Sequence, residues 1–405
     1  MGYKYMRVLQ INSVCGIGST GRIATDIHKL LIEQGHESYI AYGRGEAVNC
    51  DNAIKIGSDL DIYKHFMLTR VLDRHGFGSK KATREFIKKI IDINPDIIHL
   101  HNVHGYYINI EELFKYLKEA NKPVVWTLHD CWAFTGHCAY FDYIGCQKWI
   151  NGCNNCPQKK GYPSSYIVDN STNNYAIKKE LFTSINDLTI VTPSVWLKNL
   201  VQQSFLKEYS IRVIYNGINL DIFKPTISNF RNKYNLSDKF IILGVANIWD
   251  ERKGLKFFIE LSKVLEQDEI IVLVGLTKKQ ISKLPINIIG INKTNDIYEL
   301  AEIYSNSDVF VNTTLDEVLG LTNLEALACG TPVITFNSGG SPECIDINTG
   351  IVVDKGNIID VRNAITTIRN RKIDKDILVS RVKDNFNKND KYSEYLILYN
   401  SLMNK

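Results

Sequence analysis

The sequence has no long hydrophobic run, few cysteines for its length and almost no excess of charge. Its 405 residues include 9 cysteines, 9 prolines and 4 methionines, and its net charge is +4. No run reaches the roughly 20 apolar residues that span a bilayer, and the opening MGYKYMRVLQINSV lacks the apolar core of a signal peptide. The small charge gives no general argument for nucleic-acid binding. We therefore expect a globular cytoplasmic protein, or one at the inner face of the membrane, with no nucleic-acid partner.

One segment departs from this even balance of charge. Between Arg74 and Lys89, six Lys or Arg residues accompany a single acid, Glu85, largely on a predicted helix. The segment has two interpretations. It is either a solvated helix face or a surface for anionic lipid head groups or a lipid-phosphate acceptor, which would give peripheral membrane association.

Short apolar strands alternate with amphipathic helices in two successive series. This alternation is typical of α/β domains with parallel sheets. We predict two Rossmann-like doubly wound domains facing a cleft, residues 1–222 and 223–388, with an irregular Cys-rich insertion at about 129–163. The sequence pattern of residues 389–405 predicts a C-terminal helix, which either packs back across both domains or closes the second domain.

The first loop after a strand is rich in glycine. Gly16, Gly18 and Gly21 in CGIGSTGR match G-x-G-x-x-G between a strand and a helix, an arrangement that suits an anion at the helix N-terminus. The second strand ends in Tyr-Gly-Arg without the acid that NAD sites use, although a basic residue could suit NADP. An NAD(P)-linked dehydrogenase or epimerase and a plain tight turn therefore both remain open.

Two further loops after strands carry candidate site residues. His129 and Asp130 follow the strand at 124–128, where a ligand is expected, although a single histidine is often structural. Arg252 and Lys253 in ANIWDERKG follow the strand at 240–245 and precede a helix. There they either hold an anion such as a leaving diphosphate or merely cap the helix.

The segment DEVLGLTNLEALACGTPVI carries the strongest signal. Glu317 lies in a loop after the strand at 309–312, and Glu325 lies one turn inside the next helix. Carboxylates suit sugar hydroxyls, and the amides between them suit phosphate. Thr322 and Glu325 also fit a helix capping box, which needs no ligand.

This phrase, followed by GGSPE and accompanied in order by VTPSVWLKNL, VIYNGINLDIF and the RKG loop, resembles the retaining GT-B glycosyltransferases of family 4. The resemblance covers nearly the whole chain and implies transfer of a sugar from a nucleotide-sugar donor without a protein nucleophile. It also implies the following roles: Glu317 on donor-sugar hydroxyls, Glu325 on the ribose, Arg252 and Lys253 on the diphosphate with amides near Leu321 and Thr322, His129 at the sugar, and Gly16 and Gly18 beside the reacting centre.

One position departs from the family pattern. Many relatives carry an arginine about six residues before the lysine of the basic loop, where this chain has Asn247. We group Asn247 with the donor-binding residues. Either Arg252 takes over the role of the missing arginine or the donor is held differently.

Four cysteines crowd into HCAYFDYIGCQKWINGCNNCPQ. Cys138, Cys146, Cys153 and Cys156 include one C-x-x-C pair and can form a tetrahedral sulfur site for structural zinc, although the spacing is not that of a standard zinc ribbon. Buried free thiols or a redox pair are the alternatives. The insertion resembles that of a Cys-bearing subset of family 4 associated with polysaccharide biosynthesis, and we expect no catalytic metal.

The resemblance implies a hexosyltransferase-type enzyme of surface polysaccharide synthesis. Its partners would be a nucleotide-sugar and a carbohydrate or lipid-linked saccharide acceptor. Two other functions stay open: the NAD(P)-linked enzyme and a non-enzymatic glycan-binding module.

Overall fold

The computed structural model describes residues 4–404 and separates into two compact units. Unit 1 runs through Tyr215 and resumes at Tyr392, and unit 2 comprises Asn216–Lys391. The outermost residues of the predicted domains, 1–3 and 405, lie outside the described part.

A seven-stranded parallel sheet forms the centre of unit 1. Its spatial order is β3-β2-β1-β4-β5-β6-β7. The strands are β1 (Arg7–Asn12), β2 (Glu37–Tyr42), β3 (Ala53–Lys55), β4 (Ile97–Leu100), β5 (Val124–Thr127), β6 (Leu188–Thr192) and β7 (Ser210–Val213). Strands β4, β5 and β6 are buried along their whole length, which explains their nearly continuous apolar sequences.

Seven helices of unit 1 follow its strands. They are α1 (Gly18–Glu33), α2 (Asp59–Leu72), α3 (Lys80–Ile93), α4 (Ile110–Ala120), α5 (Lys148–Asn151), α6 (Ser171–Phe182) and α7 (Val195–Val201), with 3₁₀ turns at Trp132–Phe134 and Asp142–Ile144. The sequence pattern predicts the first helix only from residue 23, because glycine is a poor helix former. In the structure the helix begins at Gly18 and includes Gly21, where an added Cβ would lie 3.0 Å from the side chain of Val14.

Unit 2 contains a six-stranded parallel sheet in the order β10-β9-β8-β11-β12-β13. Its strands are β8 (Phe240–Val245), β9 (Glu269–Val274), β10 (Ile288–Ile291), β11 (Val309–Asn312), β12 (Val333–Phe336) and β13 (Gly350–Val353). Its helices are α8 (Phe230–Lys233), α9 (Leu255–Leu261), α10 (Lys278–Ile281), α11 (Ile297–Ser305), α12 (Leu321–Ala328), α13 (Ile358–Arg371) and α14 (Lys375–Phe386), with 3₁₀ turns at Ser262–Val264 and Ser341–Cys344. The two sheets confirm the predicted pair of Rossmann-like domains.

The last helix, α15 (Lys388–Met403), packs into unit 1 from Tyr392 onward. Its buried tyrosines and leucines join a core cluster with Val8, Ile27 and Val125. Tyr399 Oη lies 2.7 Å from His99 Nδ1, and Tyr395 Oη lies 3.0 Å from Thr127 Oγ1. These buried contacts explain the apolar face that the sequence shows in this segment.

Candidate active site

In each unit, the strand order reverses between two central neighbours. These are β1 and β4 in unit 1 and β8 and β11 in unit 2. Ligands of open parallel sheets bind beyond the carboxyl ends of the strands at such a reversal. The loops after these strands carry most of the residues that the sequence analysis selects.

In unit 2, the basic loop after β8 is tied to the loop after β11. Leu315 N donates to Arg252 O at 2.8 Å, and Thr313 Oγ1 donates to Lys253 O at 3.0 Å. Gly254 adopts a φ of +78°, and an added Cβ would lie 2.4 Å from Thr313 O. Glycine is therefore required at this close approach, which brings the two predicted motifs together.

Lys253 and Glu317 form the central ion pair of this site. Lys253 Nζ lies 2.5 Å from Glu317 Oε2, and their side chains are 21% and 22% exposed. Burial works against ionisation of Glu317, but the charges of Lys253 and Arg252 outweigh it and lower the pKa of that carboxyl. Glu317 is therefore ionised at neutral pH, and both side chains of the pair are partly exposed.

The backbone of Glu317 is held by the glycine pair of the GGSPE segment. Gly340 N donates to Glu317 O at 3.0 Å. At Gly339, with a φ of +57°, an added Cβ would lie 1.7 Å from that same oxygen. On the other side, Arg252 Nη1 donates to Asp316 O at 2.8 Å. Three separate loops thus position the carboxylate.

Helix α12 starts directly after this loop without the predicted capping box. Its N-cap is Gly320, at a φ of 90°, and this residue makes no side-chain cap hydrogen bond. Thr322 therefore lies inside the first turn rather than at the cap position. The capping interpretation of Thr322 and Glu325 is wrong, because Gly320 reaches a left-handed conformation that threonine disfavours. The first-turn amides of Leu321 and Thr322 carry the positive end of the helix dipole.

Glu325 lies one turn into α12, where Tyr304 Oη donates to its Oε2 at 3.0 Å. Burial, followed by the charge of Glu325, raises the pKa of Tyr304 well above its usual range, so the phenol stays a donor. Asn247, by contrast, is exposed just after β8.

Sequence reasoning missed the side chains that hold α12 in place. Asn312 Nδ2 donates to Asn323 Oδ1 at 2.8 Å, and Asn323 Nδ2 lies 3.4 Å from both Thr335 Oγ1 and Ser341 O. Asn323 is fully buried. A buried amide of this kind needs hydrogen-bond partners, but only the folded chain shows which partners it has.

In unit 1, a chain of hydrogen bonds ends at His129. Gln10 Nε2 donates to Ala24 O at 3.0 Å, which turns Gln10 Oε1 toward His101 Nε2, also at 3.0 Å. Since the amide oxygen only accepts, neutral His101 carries its proton on Nε2 and accepts at Nδ1. His129 Nε2 lies 3.0 Å from that Nδ1 and donates to it. This leaves Nδ1 of His129 as a hydrogen-bond acceptor, and we call the three side chains the histidine relay.

Burial keeps the histidine relay neutral. It lowers the pKa of His129 to about 4 against the opposing charge of Asp130, and it lowers the pKa of His101 well below its usual value. Asp130 itself bonds His104 Nε2 at 2.9 Å and accepts from Trp132 N. The Asp130 carboxylate thus bonds to His104 and to the amide of Trp132. The sequence signal that was overlooked is Gln10, a polar residue inside the buried strand RVLQIN.

The glycine loop after β1 approaches other backbone at one glycine and faces open space at another. Gly16 has a φ of +73°, and an added Cβ would lie 2.0 Å from Val48 O. Gly18, with a φ of +65°, has nothing within 4 Å of such a Cβ. It opens helix α1, whose N-cap Ile17 makes no side-chain cap bond. Gly16 therefore has a structural role, while Gly18 leaves room for a ligand.

Two protein-family models match consecutive parts of the chain. The model for Glycosyltransferase Family 4 matches residues 20–222, and the model for Glycosyl transferases group 1 matches residues 226–385. The family 4 model alone covers half of the chain. The protein belongs to glycosyltransferase family 4. This confirms the resemblance and the prediction of a glycosyltransferase, and it sets aside the NAD(P)-linked and non-enzymatic alternatives.

Relatives of this family 4 glycosyltransferase align over different lengths. WcaC of Escherichia coli strain K12, named for colanic acid biosynthesis, is 26% identical over 381 residues, covering 88% of this chain and 89% of its own. Sulfoquinovosyl transferase SQD2 of Arabidopsis thaliana is 24% identical over 213 residues, covering 50% of this chain and 42% of its own.

Solved structures share the GT-B fold of the enzyme. Sucrose-phosphate synthase from Thermosynechococcus elongatus matches with a TM-score of 0.72 at 17% identity, over 98% of this chain and 99% of its own. HepE of Anabaena in complex with UDP and glucose matches with a TM-score of 0.68 at 14% identity, over 98% and 100%. Within residues 4–404, no helix combines the length and apolar character needed to cross a membrane.

Proposed function

We propose that this family 4 enzyme transfers a hexosyl group from a nucleotide-sugar to a carbohydrate or lipid-linked saccharide acceptor during surface polysaccharide synthesis. The name of WcaC supports the polysaccharide context, because that relative aligns along most of both chains. The UDP and glucose bound by HepE support a nucleotide-sugar donor.

The observation that carries this proposal is the Lys253–Glu317 ion pair next to the N-terminus of α12. A nucleotide-sugar presents hydroxyls, a diphosphate and a ribose in succession. Glu317 is an acceptor for sugar hydroxyls, Lys253 and Arg252 are cations for the diphosphate, and Glu325 is an acceptor for the ribose. Their order along one strand-loop-helix segment and its tied basic loop matches the order of these groups in the donor.

We infer a front-face reaction with retention of anomeric configuration. The bond between the anomeric carbon and the diphosphate oxygen breaks, and the acceptor oxygen bonds to the same face. The acceptor proton passes to the departing phosphate oxygen. Lys253, Arg252 and the amides of Leu321 and Thr322 stabilise the charge that develops on the leaving group, which is commonly the largest contribution to catalysis of this kind.

We assign the saccharide contacts of unit 1 to His129. Its Nδ1 accepts a hydrogen bond from a sugar hydroxyl, since the histidine relay holds the proton on Nε2. His129 therefore acts in this proposal as a neutral acceptor and not as a general acid.

The basic segment of α3 gives limited support to a lipid-linked acceptor at a membrane. Lys80 and Arg84 pair with Glu112, and Lys88 pairs with Glu85. These pairs reduce the positive charge that the sequence alone suggests. A binding assay with anionic and neutral vesicles separates membrane association from a merely solvated helix face.

A donor panel tests the proposed reaction. Purified enzyme is incubated with UDP-, GDP- and ADP-sugars, and binding is followed by thermal shift because a ligand of the native state raises the apparent stability. We expect one nucleotide class to bind and to be turned over. Glu317→Gln should lower turnover at least about 100-fold, whereas the exposed Glu260→Gln on α9 should leave it unchanged.

The stereochemistry is read separately by NMR of the first product formed. A product with the same anomeric configuration as the donor supports retention. A product with the opposite configuration would overturn the front-face reaction. Binding of glycan without turnover of any donor would overturn the proposed enzyme activity.

A further inference from the structure

The four clustered cysteines lie around one cavity in unit 1. Cys138, Cys146, Cys153 and Cys156 all line it, together with the aromatic rings of Phe141 and Trp149. Its volume is about 10 Å³, close to the roughly 10–15 Å³ that one water requires. The chain thus brings four sulfur donors, which are separated by up to 18 positions in sequence, to a space of the size of a single small ligand.

The sulfurs of this cavity receive hydrogen bonds from polar groups. Gly136 N donates to Cys153 Sγ at 3.1 Å, and the amide of Gln158 donates to Cys156. An added Cβ at Gly136 would lie 2.1 Å from Ser171 O, so only glycine lets this amide reach the sulfur. Cys138 and Cys156 also hydrogen-bond to each other. Amide donors stabilise thiolates, which are the form that binds metals.

The buried amine of Lys178 lies close to this cavity, and burial lowers its pKa to about 7. Lys178 Nζ donates to Trp132 O at 2.8 Å and to Thr135 O at 3.0 Å, and the side chain is 1% exposed. Within residues 4–404, no carboxylate lies at ion-pair distance from it. A buried charge without a counter-ion is costly. A metal with four thiolates carries a net charge of −2 and would balance it.

Across the described chain, no group of three or more His, Cys, Asp or Glu side chains stands in a metal-binding arrangement. The four thiols share a cavity but are not drawn together. Zinc–sulfur bonds of about 2.3 Å are what pull four sulfurs into a tetrahedron. All nine cysteines are free of disulfide bonds, so the four sulfurs are available as ligands.

We propose that Cys138, Cys146, Cys153 and Cys156 bind one zinc ion that cross-links the two ends of the segment 138–156 within the insertion at 129–163. Four protein ligands fill the tetrahedral coordination of zinc and leave no position for substrate, so the ion is structural.

The test measures metal content in the full-length enzyme purified under reducing conditions with one equivalent of zinc. Elemental mass spectrometry is expected to find one zinc ion per chain, and this zinc should be retained through gel filtration. Cys156→Ser should lose it, whereas Cys50→Ser, a partly exposed cysteine of unit 1 outside the cavity, should keep it. Cobalt replacement in the wild-type enzyme should give the intense visible bands of tetrahedral thiolate coordination, which keeps the test valid if Cys156→Ser folds poorly.

Two results would overturn the proposal. In one, the wild-type enzyme contains no zinc, gives no cobalt spectrum and forms a disulfide between Cys138 and Cys156 when treated with mild peroxide. That result would identify a redox pair. The other is loss of zinc in His137→Ala but not in Cys146→Ser. His137 is buried, and its Nε2 has no hydrogen-bond partner in the described residues, so this result would replace one of the four thiols with that imidazole. Neither outcome bears on glycosyl transfer.

Discussion

The candidate site residues of the two units differ in charge. Those of unit 2 form an ion pair, whereas those of unit 1 are neutral. In unit 2, Glu317 is ionised and forms an ion pair with Lys253. In unit 1, His101 and His129 are kept neutral by burial and oriented by Gln10. A fixed cation suits a leaving diphosphate whose charge grows during reaction. A neutral acceptor of defined tautomer suits an uncharged sugar hydroxyl, which is the role proposed for His129.

The largest expected effect comes from removing the cation. Lys253→Met should lower kcat/KM by about 10²- to 10³-fold, because the charge on the leaving group loses its nearest counter-charge. Steady-state kinetics with the donor from the panel measure this. Lys263→Met, at an exposed lysine of the same unit, is the matched control. A loss below about tenfold would mean that Lys253 serves only to hold Glu317.

A smaller effect is expected from disturbing the histidine relay. Gln10→Met keeps the length of the side chain but removes the acceptor that holds the His101 proton on Nε2. Losing one oriented hydrogen bond of about 1.4 kcal/mol predicts a roughly tenfold fall in kcat/KM. Nitrogen-15 NMR of labelled histidine should show a mixed tautomer at His129, while Gln202→Met on the surface changes nothing. An unchanged tautomer with reduced activity would indicate a packing defect and contradict the relay.

Acidification should destabilise unit 1 at a higher pH than unit 2. The pKa of His129 is about 4 in the folded chain, against about 6.5 for an ordinary histidine. The unfolded chain therefore takes up protons that the folded chain refuses, and stability falls as the pH drops from about 6.5 to 4. Glu317, whose pKa is lowered, keeps its contribution above about pH 4.5 and loses it only below.

Hydrogen exchange of peptides from each unit, corrected for intrinsic exchange rates, measures the local stability of the two units at pH 7, 5.5 and 4.5. Unit 1 peptides from β4 and β5 should lose protection first. Parallel loss in both units, or earlier loss in unit 2, would show that the buried histidines do not control acid stability.

The smallest effect concerns the start of α12. Because Gly320 occupies the N-cap position, Thr322→Ala should change the free energy of unfolding by less than about 0.5 kcal/mol. A lost capping box would instead cost about 1 kcal/mol. Urea denaturation distinguishes the two, and a change of the larger size would restore the capping interpretation.

Much of the fold could be predicted from local patterns. Apolar strands such as IIHL and FIILGV and the glycines after them indicate the two α/β alternations without reference to tertiary contacts. Helix α2 could not be predicted in this way. It buries only His65 and Thr69 and leaves Leu60, Tyr63 and Met67 exposed, so its sequence has no helical apolar stripe.

By itself, the sequence determined the family, the two Rossmann-like domains and the side chains at the carboxyl ends of the strands, because motif chemistry and hydrophobic spacing are local properties of the chain. Only the tertiary structure decided that the basic loop is tied to the Glu317 loop and that Gln10 sets the tautomer of His129. These relations depend on which strands lie side by side, and strand order is set by long-range packing that local spacing does not record.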